Sequence, residues 1–135
     1  MPYIRLINIK WHYASRKKRF ASAAFKPSSD GSGISVINKE CGEEHSGTIC
    51  AHIAEHYPNV AGTPIVFWEI PTDQIPATCS FVHSVSGTDR WCHHDIVNWD
   101  DDEAQKTIKN LPIEETKICS DDGVRNLTQN DLPQM

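Results

Sequence analysis

The chain of 135 residues is 39% apolar and carries 18 acidic against 13 basic side chains, for a net charge of −5. That length supports one domain with one modest core, and no stretch approaches the ~18 consecutive apolar residues needed to span a bilayer. The start, Met1-Pro2-Tyr3-Ile4-Arg5, lacks the long apolar segment of a secretory signal, so the sequence reads as a soluble cytoplasmic protein with no membrane association.

Residues 3–9 are rich in β-branched and aromatic side chains and predict a first strand, with Arg5 and Asn8 as its polar members. Charge is then unevenly distributed. Residues 1–40 hold eight Lys/Arg against two acids, whereas residues 41–135 hold five against sixteen. Much of the positive end is the run Arg16, Lys17, Lys18, Arg19, followed by Lys26 and flanked by Trp11, His12, Tyr13 and Phe20. Cations interleaved with aromatics suit contact with phosphates and stacking on bases, so residues 16–26 are a candidate nucleic-acid or nucleotide surface. The same run equally describes a solvated loop. Residues 21–25 fit a short strand or a helical turn, residues 27–33 a loop, and residues 34–37 a second strand.

A helix is predicted over residues 46–57, with Ser46 or Thr48 at its start, Gly47 as its weak point and Pro58 as its stop. It contains His52-Ile53-Ala54-Glu55-His56, which resembles the helical zinc motif of the inverted zinc peptidases. At 3.6 residues per turn, His52 and His56 share a face with Glu55 beside them, as a common metal ion requires. That resemblance implies zinc on His52 and His56 with Glu55 as general base. A third ligand is needed, and one of His93 and His94 is the candidate. Ile49, Cys50, Ile53, Ala54 and Tyr57 fall on the opposite side, so the His/Glu face is expected to point outward, where two solvated histidines are the simpler explanation.

Residues 64–70 form a nearly continuous apolar run, as in a strand covered on both faces. Residues 78–85 alternate as a half-buried strand, with His83 on the more apolar side as a core histidine. Residues 91–99 form the next strand. Period two sets His93 beside Asp95 on one face and Cys92 beside His94 on the other, and a hairpin with residues 77–86 would bring His83 close. His83, Cys92, His93, His94 and Asp95 therefore make a second polar cluster suited to acid–base work or metal ligation. Asp100 with Glu103 three residues on caps a last helix over 100–111, and residues 113–135 read as a polar tail. Cysteines at 41, 50, 79, 92 and 119 are odd in number and contain no Cys-x-x-Cys pair, so reduced thiols are expected.

Three segments, Ser22-Ala23-Ala24-Phe25-Lys26, Asp30-Gly31-Ser32-Gly33-Ile34-Ser35-Val36 and Trp91-Cys92-His93-His94-Asp95-Ile96, are together similar to a group of small bacterial proteins of unassigned function. The resemblance spans roughly residues 3–111 and implies a bacterial or phage-related cytoplasmic protein without supplying a reaction. The expectation is a single α+β domain over 1–112, with a mainly antiparallel sheet of about five strands and two helices packed on it. The leading functional expectation is a non-catalytic binding or adaptor protein with a protein partner, using Arg16 to Arg19 or the acidic Asp100 to Glu103 segment. The alternative is a metal-dependent hydrolase built on the His-x-x-Glu-His helix, with zinc as the candidate ion.

Overall fold

The computed structural model of the chain describes residues 3–8, 13–14, 19–20, 33–58, 64–70, 73, 75, 77–85, 89–99, 102, 106, 115–120 and 123–132. In chain order the elements are β1 (Tyr3–Ile7), β2 (Tyr13–Ala14), β3 (Arg19–Phe20), β4 (Ile34–Asn38), α1 (Lys39–Ser46), α2 (Ile49–His56), β5 (Val66–Ile70), β6 (Ser80–His83), β7 (His93–Val97), β8 (Lys117–Ser120) and β9 (Gly123–Asn126), with a 3-10 turn at Gln129–Asp131. Seven strands form one sheet in the order β6-β7-β4-β1-β5-β8-β9, while β2 and β3 make a separate two-stranded ribbon. Every neighbouring pair in the large sheet is antiparallel. The protein is thus α+β with two helices whose bounds are described, and its sheet exceeds the expected five strands.

The extra strands come from the stretch expected to be a polar tail. β8 pairs with β5 and β9 with β8, so residues 117–120 and 123–126 extend the sheet past β5. Ile118, Leu127 and Leu132 are 3%, 2% and 3% exposed, which is enough to anchor an otherwise polar segment.

Alternation along the strands sorts the apolar side chains into two cores. One face gathers Ile7, Ile34, Val36, Val66, Trp68, Ile70, Ile96 and Ile118. The other joins Ile4, Leu6, Ile37 and Phe67 to Ile49 and Ile53 of α2. β5 feeds both, as its continuous apolar run predicts. Full burial of Ile49 and Ile53 contributes roughly 1.5–3 kcal/mol each to holding α2 on the sheet.

The helix expected over 46–57 is present as α2, starting three residues later at Ile49, and a second helix, α1, precedes it; the break between them explains much of the site. Gly47 adopts φ 89°, a left-handed conformation that favours glycine, and its amide closes α1 on the Glu43 carbonyl at 2.8 Å. Thr48 then caps α2 by accepting from the Ala51 amide at 3.1 Å, and Asn38 caps α1 by accepting from the Cys41 amide at 3.1 Å. Where the helices meet, Gly42 leaves no room for a side chain. A Cβ there would lie 2.8 Å from Ile49 Cδ1 and 3.3 Å from His52 Cγ. Of the helix expected over 100–111, Asp102 and Lys106 are helical, and the remainder lies outside the described residues, as do residues 21–25.

Two disulfides overturn the expectation of reduced thiols. Cys41 of α1 is bonded to Cys92 beside β7, and Cys50 of α2 to Cys119 of β8, with Cα separations of 5.5 and 6.0 Å. Cys79 is not disulfide-bonded, and its thiol donates to the Asn98 carbonyl at 3.3 Å. Each helix is therefore covalently stapled to a different part of the sheet. On the loop-closure argument, separations of 51 and 69 residues correspond to about 4 kcal/mol of stabilisation per bridge. No helix among the described residues is long and apolar enough to cross a membrane.

Candidate metal centre

Contrary to the outward-facing set expected from the helical wheel, His52 is fully buried and the His56 side chain is only 11% exposed, while that of Glu55 remains 64% exposed. The cause is the turn at Gly47. It folds α1 back across α2, and Gly42 brings the α1 backbone against the His52 ring.

Both nitrogens of His52 are occupied. Nδ1 lies 3.0 Å from Ser46 Oγ and Nε2 lies 2.9 Å from Asp89 Oδ2. Asp89, itself 2% exposed, also accepts from the Tyr57 hydroxyl at 2.6 Å and the Cys92 amide at 3.3 Å. Burial alone would raise the Asp89 carboxyl, but hydrogen bonds from Tyr57, His52 and the Cys92 amide outweigh it and hold the group below the ordinary carboxylate value. Burial and the bond to Asp89 push the Tyr57 hydroxyl far up, so it remains a donor. A charged carboxylate only accepts, so His52 Nε2 carries a proton, and in the neutral ring Nδ1 accepts from the Ser46 hydroxyl. Glu55 Oε2 competes for that hydroxyl from 3.4 Å, the longer of the two contacts.

His45, in the last turn of α1, completes the group. Its ring centroid is 6.0 Å from His52 and 5.9 Å from His56, and those two are 4.5 Å apart. One donor nitrogen of each of the three histidines lies within 4.8 Å of the other two. The Trp91 ring packs 4.5 Å from His45 and 5.8 Å from His56 while staying 48% exposed. His52 and Asp89 also approach Cys92, but its sulfur is held in the bond to Cys41 and offers no thiolate.

Neither His93 nor His94, expected to supply the third ligand, belongs to a group of converging metal-ligating side chains among the described residues. Period two sends these side chains to opposite faces of β7: His93 pairs with Ile37 on the helix-bearing face and His94 with Val36 on the other. His93 Nε2 bonds to Ser35 Oγ and lies 3.4 Å from Asp95 Oδ1, the histidine–carboxylate pair that the spacing predicts. His94 Nδ1 lies 3.2 Å from the Cys92 carbonyl, and its ring contacts Tyr3 and His83, each at 5.1 Å. Burial lowers the His94 pKa, opposed by that carbonyl. His83 sits directly across from His94, as the hairpin predicts, but it is exposed and donates to the Arg90 carbonyl at 3.0 Å instead of lying in the core. Cys92, being oxidised, forms no unit with His94. Asp95 does reach the first cluster electrostatically, since its charge also raises Tyr57.

Arg16, Lys17, Lys18 and Lys26 lie outside the described residues, as does the Arg19 side chain, although its backbone begins β3. A cavity of about 530 Å³ bordered by Lys39, Glu43, Phe67, Glu69 and Lys117 is lined by none of the three histidines. Sequence reasoning missed His45 and Asp89 as site residues, and took Ser46 only as a cap and Tyr57 only as an apolar contact. The alternating helix-start signal at Asn38 and the stop at Gly47 were the available clues to His45. The chain matches no family model, no curated protein and no solved structure.

Proposed function

We propose that the protein is a metal-dependent hydrolase whose ion, of the zinc class, is held by His45, His52 and His56, with Glu55 as general base. The observation that carries this reading is the convergence of the three imidazoles with Asp89 fixed on the far nitrogen of His52. Nitrogens bound to one tetrahedral zinc at 2.0–2.1 Å lie about 3.3 Å apart. Donors already within 4.8 Å need only small side-chain rotations to reach that spacing. A carboxylate on the second ring nitrogen is the usual partner of a ligating histidine, where it fixes the tautomer and raises basicity. Asp89 stands in that position toward Nδ1, with Tyr57 and the Cys92 amide holding it in turn.

Three protein ligands leave a coordination position for water, and a zinc-class ion there supplies a water that ionises near neutral pH. Glu55 is the carboxylate beside the group: its Oε1 is 3.8 Å from His56 Nε2, and its exposure gives it access to substrate. His45 and Trp91, both exposed, form the outer wall.

The two disulfides support an oxidising compartment in place of the cytoplasm expected from the sequence. The binding-protein reading rests on surfaces that lie largely outside the described residues; among the described ones, Val82, Val85, Trp91 and Val124 are exposed apolar side chains. The test separates binding from chemistry. With zinc supplied, Glu55→Gln retains the metal and loses hydrolysis of model esters and peptides, whereas His45→Ala loses both. A Glu55→Gln variant with undiminished hydrolysis would rule out the proposed base.

A further inference from the structure

Ser46, His52 and Asp89 form a hydrogen-bonded series running from solvent into the core, and we infer that Ser46 is a nucleophile, activated by His52, for acyl transfer from small carboxylic esters. This goes beyond the metal reading and does not rest on it. The hydroxyl and a metal ion would use the same Nδ1 of His52, so the activity belongs to metal-free protein.

Burial follows the order of roles. Ser46 is half-buried at the end of α1, between exposed His45 and exposed Gly47, whereas His52 is 0% and Asp89 2% exposed. Ser46 Oγ is 3.0 Å from Nδ1 and Asp89 Oδ2 is 2.9 Å from Nε2, both within the reach that proton transfer requires. Relative to the usual serine hydrolase arrangement the two ring nitrogens exchange places, but the series of nucleophile, base and orienting carboxylate is the same, and it is recognised by geometry and role. The left-handed Gly47 turn holds the hydroxyl at the helix junction, and Trp91, packed on His45, offers apolar surface for the acyl group.

In the forward step Ser46 Oγ attacks the ester carbonyl carbon, forming the Oγ–C bond as its proton passes to Nδ1. Collapse breaks the bond to the alkoxy group, which leaves as the alcohol with that proton. Water then attacks the acyl carbon, gives its proton to Nδ1 and releases the acid as Oγ recovers a proton. Asp89 touches no reacting atom; it is a positioning residue that keeps Nε2 protonated and stabilises the imidazolium.

The test is exposure of EDTA-dialysed full-length protein to a fluorophosphonate, which forms an Oγ–P bond with loss of fluoride, read by intact mass and peptide mapping. One adduct at Ser46 is expected, absent in Ser46→Ala and slowed on the order of 10⁴-fold in Asp89→Asn, with circular dichroism unchanged in both. Absence of an adduct, an adduct at another residue, or an undiminished rate in folded Asp89→Asn would overturn the assignment. Added zinc distinguishes the two readings. Labelling suppressed by zinc supports both, whereas labelling that continues unchanged in excess zinc leaves Ser46 standing and removes the metal centre.

Discussion

Asp89→Asn separates the structural role of the buried carboxylate from its role toward His52. Asn is nearly isosteric, and its oxygen can take the Oδ2 position that receives Tyr57 at 2.6 Å and His52 at 2.9 Å. Both bonds survive but lose their charge assistance, which roughly halves them and costs about 1 kcal/mol. The amide nitrogen then faces the Cys92 N–H across the former 3.3 Å bond, two donors opposed, for about another 1 kcal/mol. The expected loss in metal-free protein is therefore about 2 kcal/mol, against about 3–5 kcal/mol for Asp89→Ala, which leaves the same donors buried without an acceptor. Zinc affinity should fall 10- to 100-fold in the Asn variant, as for other carboxylates behind a ligating histidine. Urea unfolding of EDTA-treated, disulfide-intact protein gives the first number, and zinc titration against a chromogenic chelator gives the second. Wild-type stability in Asp89→Asn would refute the hydrogen-bond accounting, and wild-type zinc affinity would refute the role assigned to Asp89.

Acid should erase that difference, because Asp89 titrates below its ordinary value in the folded protein, so its contribution is present above about pH 4 and is lost as pH falls toward the folded value. Unfolding free energies of wild type and Asp89→Asn should differ by a constant amount from pH 7 to about pH 5 and draw together as pH falls further; a gap that stays constant down to pH 3 contradicts the assignment. Gly42→Ala places a methyl 2.8 Å from Ile49 Cδ1 and 3.3 Å from His52 Cγ, so the end of the Ile49 side chain must repack and the His52 ring must give way, at a cost of roughly 1–3 kcal/mol in urea unfolding. An unchanged midpoint would show that the helices pack less closely than described. Thiol titration in denaturant without reductant should count one group per chain, Cys79, and reduction should lower stability by several kcal/mol. A count of five would dissolve both staples.

The strands were legible where one physical rule dominated. The apolar run over β5 predicted coverage on both faces, period two set His93 beside Asp95, and the hairpin brought His83 to the neighbouring strand, although not into the core. α1 was not legible as a periodic helix, because Lys39–Ser46 buries only Gly42 among its eight residues. Its stability comes from caps, from the Cys41–Cys92 bond and from contact with α2, none of which leaves an apolar stripe. β8 and β9 were hidden by brevity and polarity, although the Asp-Asp-Gly sequence at 121–123 is a hairpin signal between strands two residues apart. His52 and Glu55 stood out as a local pattern. His45 and Asp89 did not, since one arrives through a reversal at Gly47 and the other from 37 residues away. The disulfide pairs are likewise long-range facts, and spacing alone leaves their connectivity open.

The central claim is that three imidazoles from α1 and α2 hold one metal ion, and metal content tests it most directly. Protein equilibrated with excess zinc, freed of unbound metal by gel filtration and assayed by inductively coupled plasma mass spectrometry, should carry close to one zinc per chain in the wild type and in His93→Ala. His45→Ala should carry almost none. Metal-free wild type, or zinc that survives His45→Ala and disappears in His93→Ala, would contradict the account.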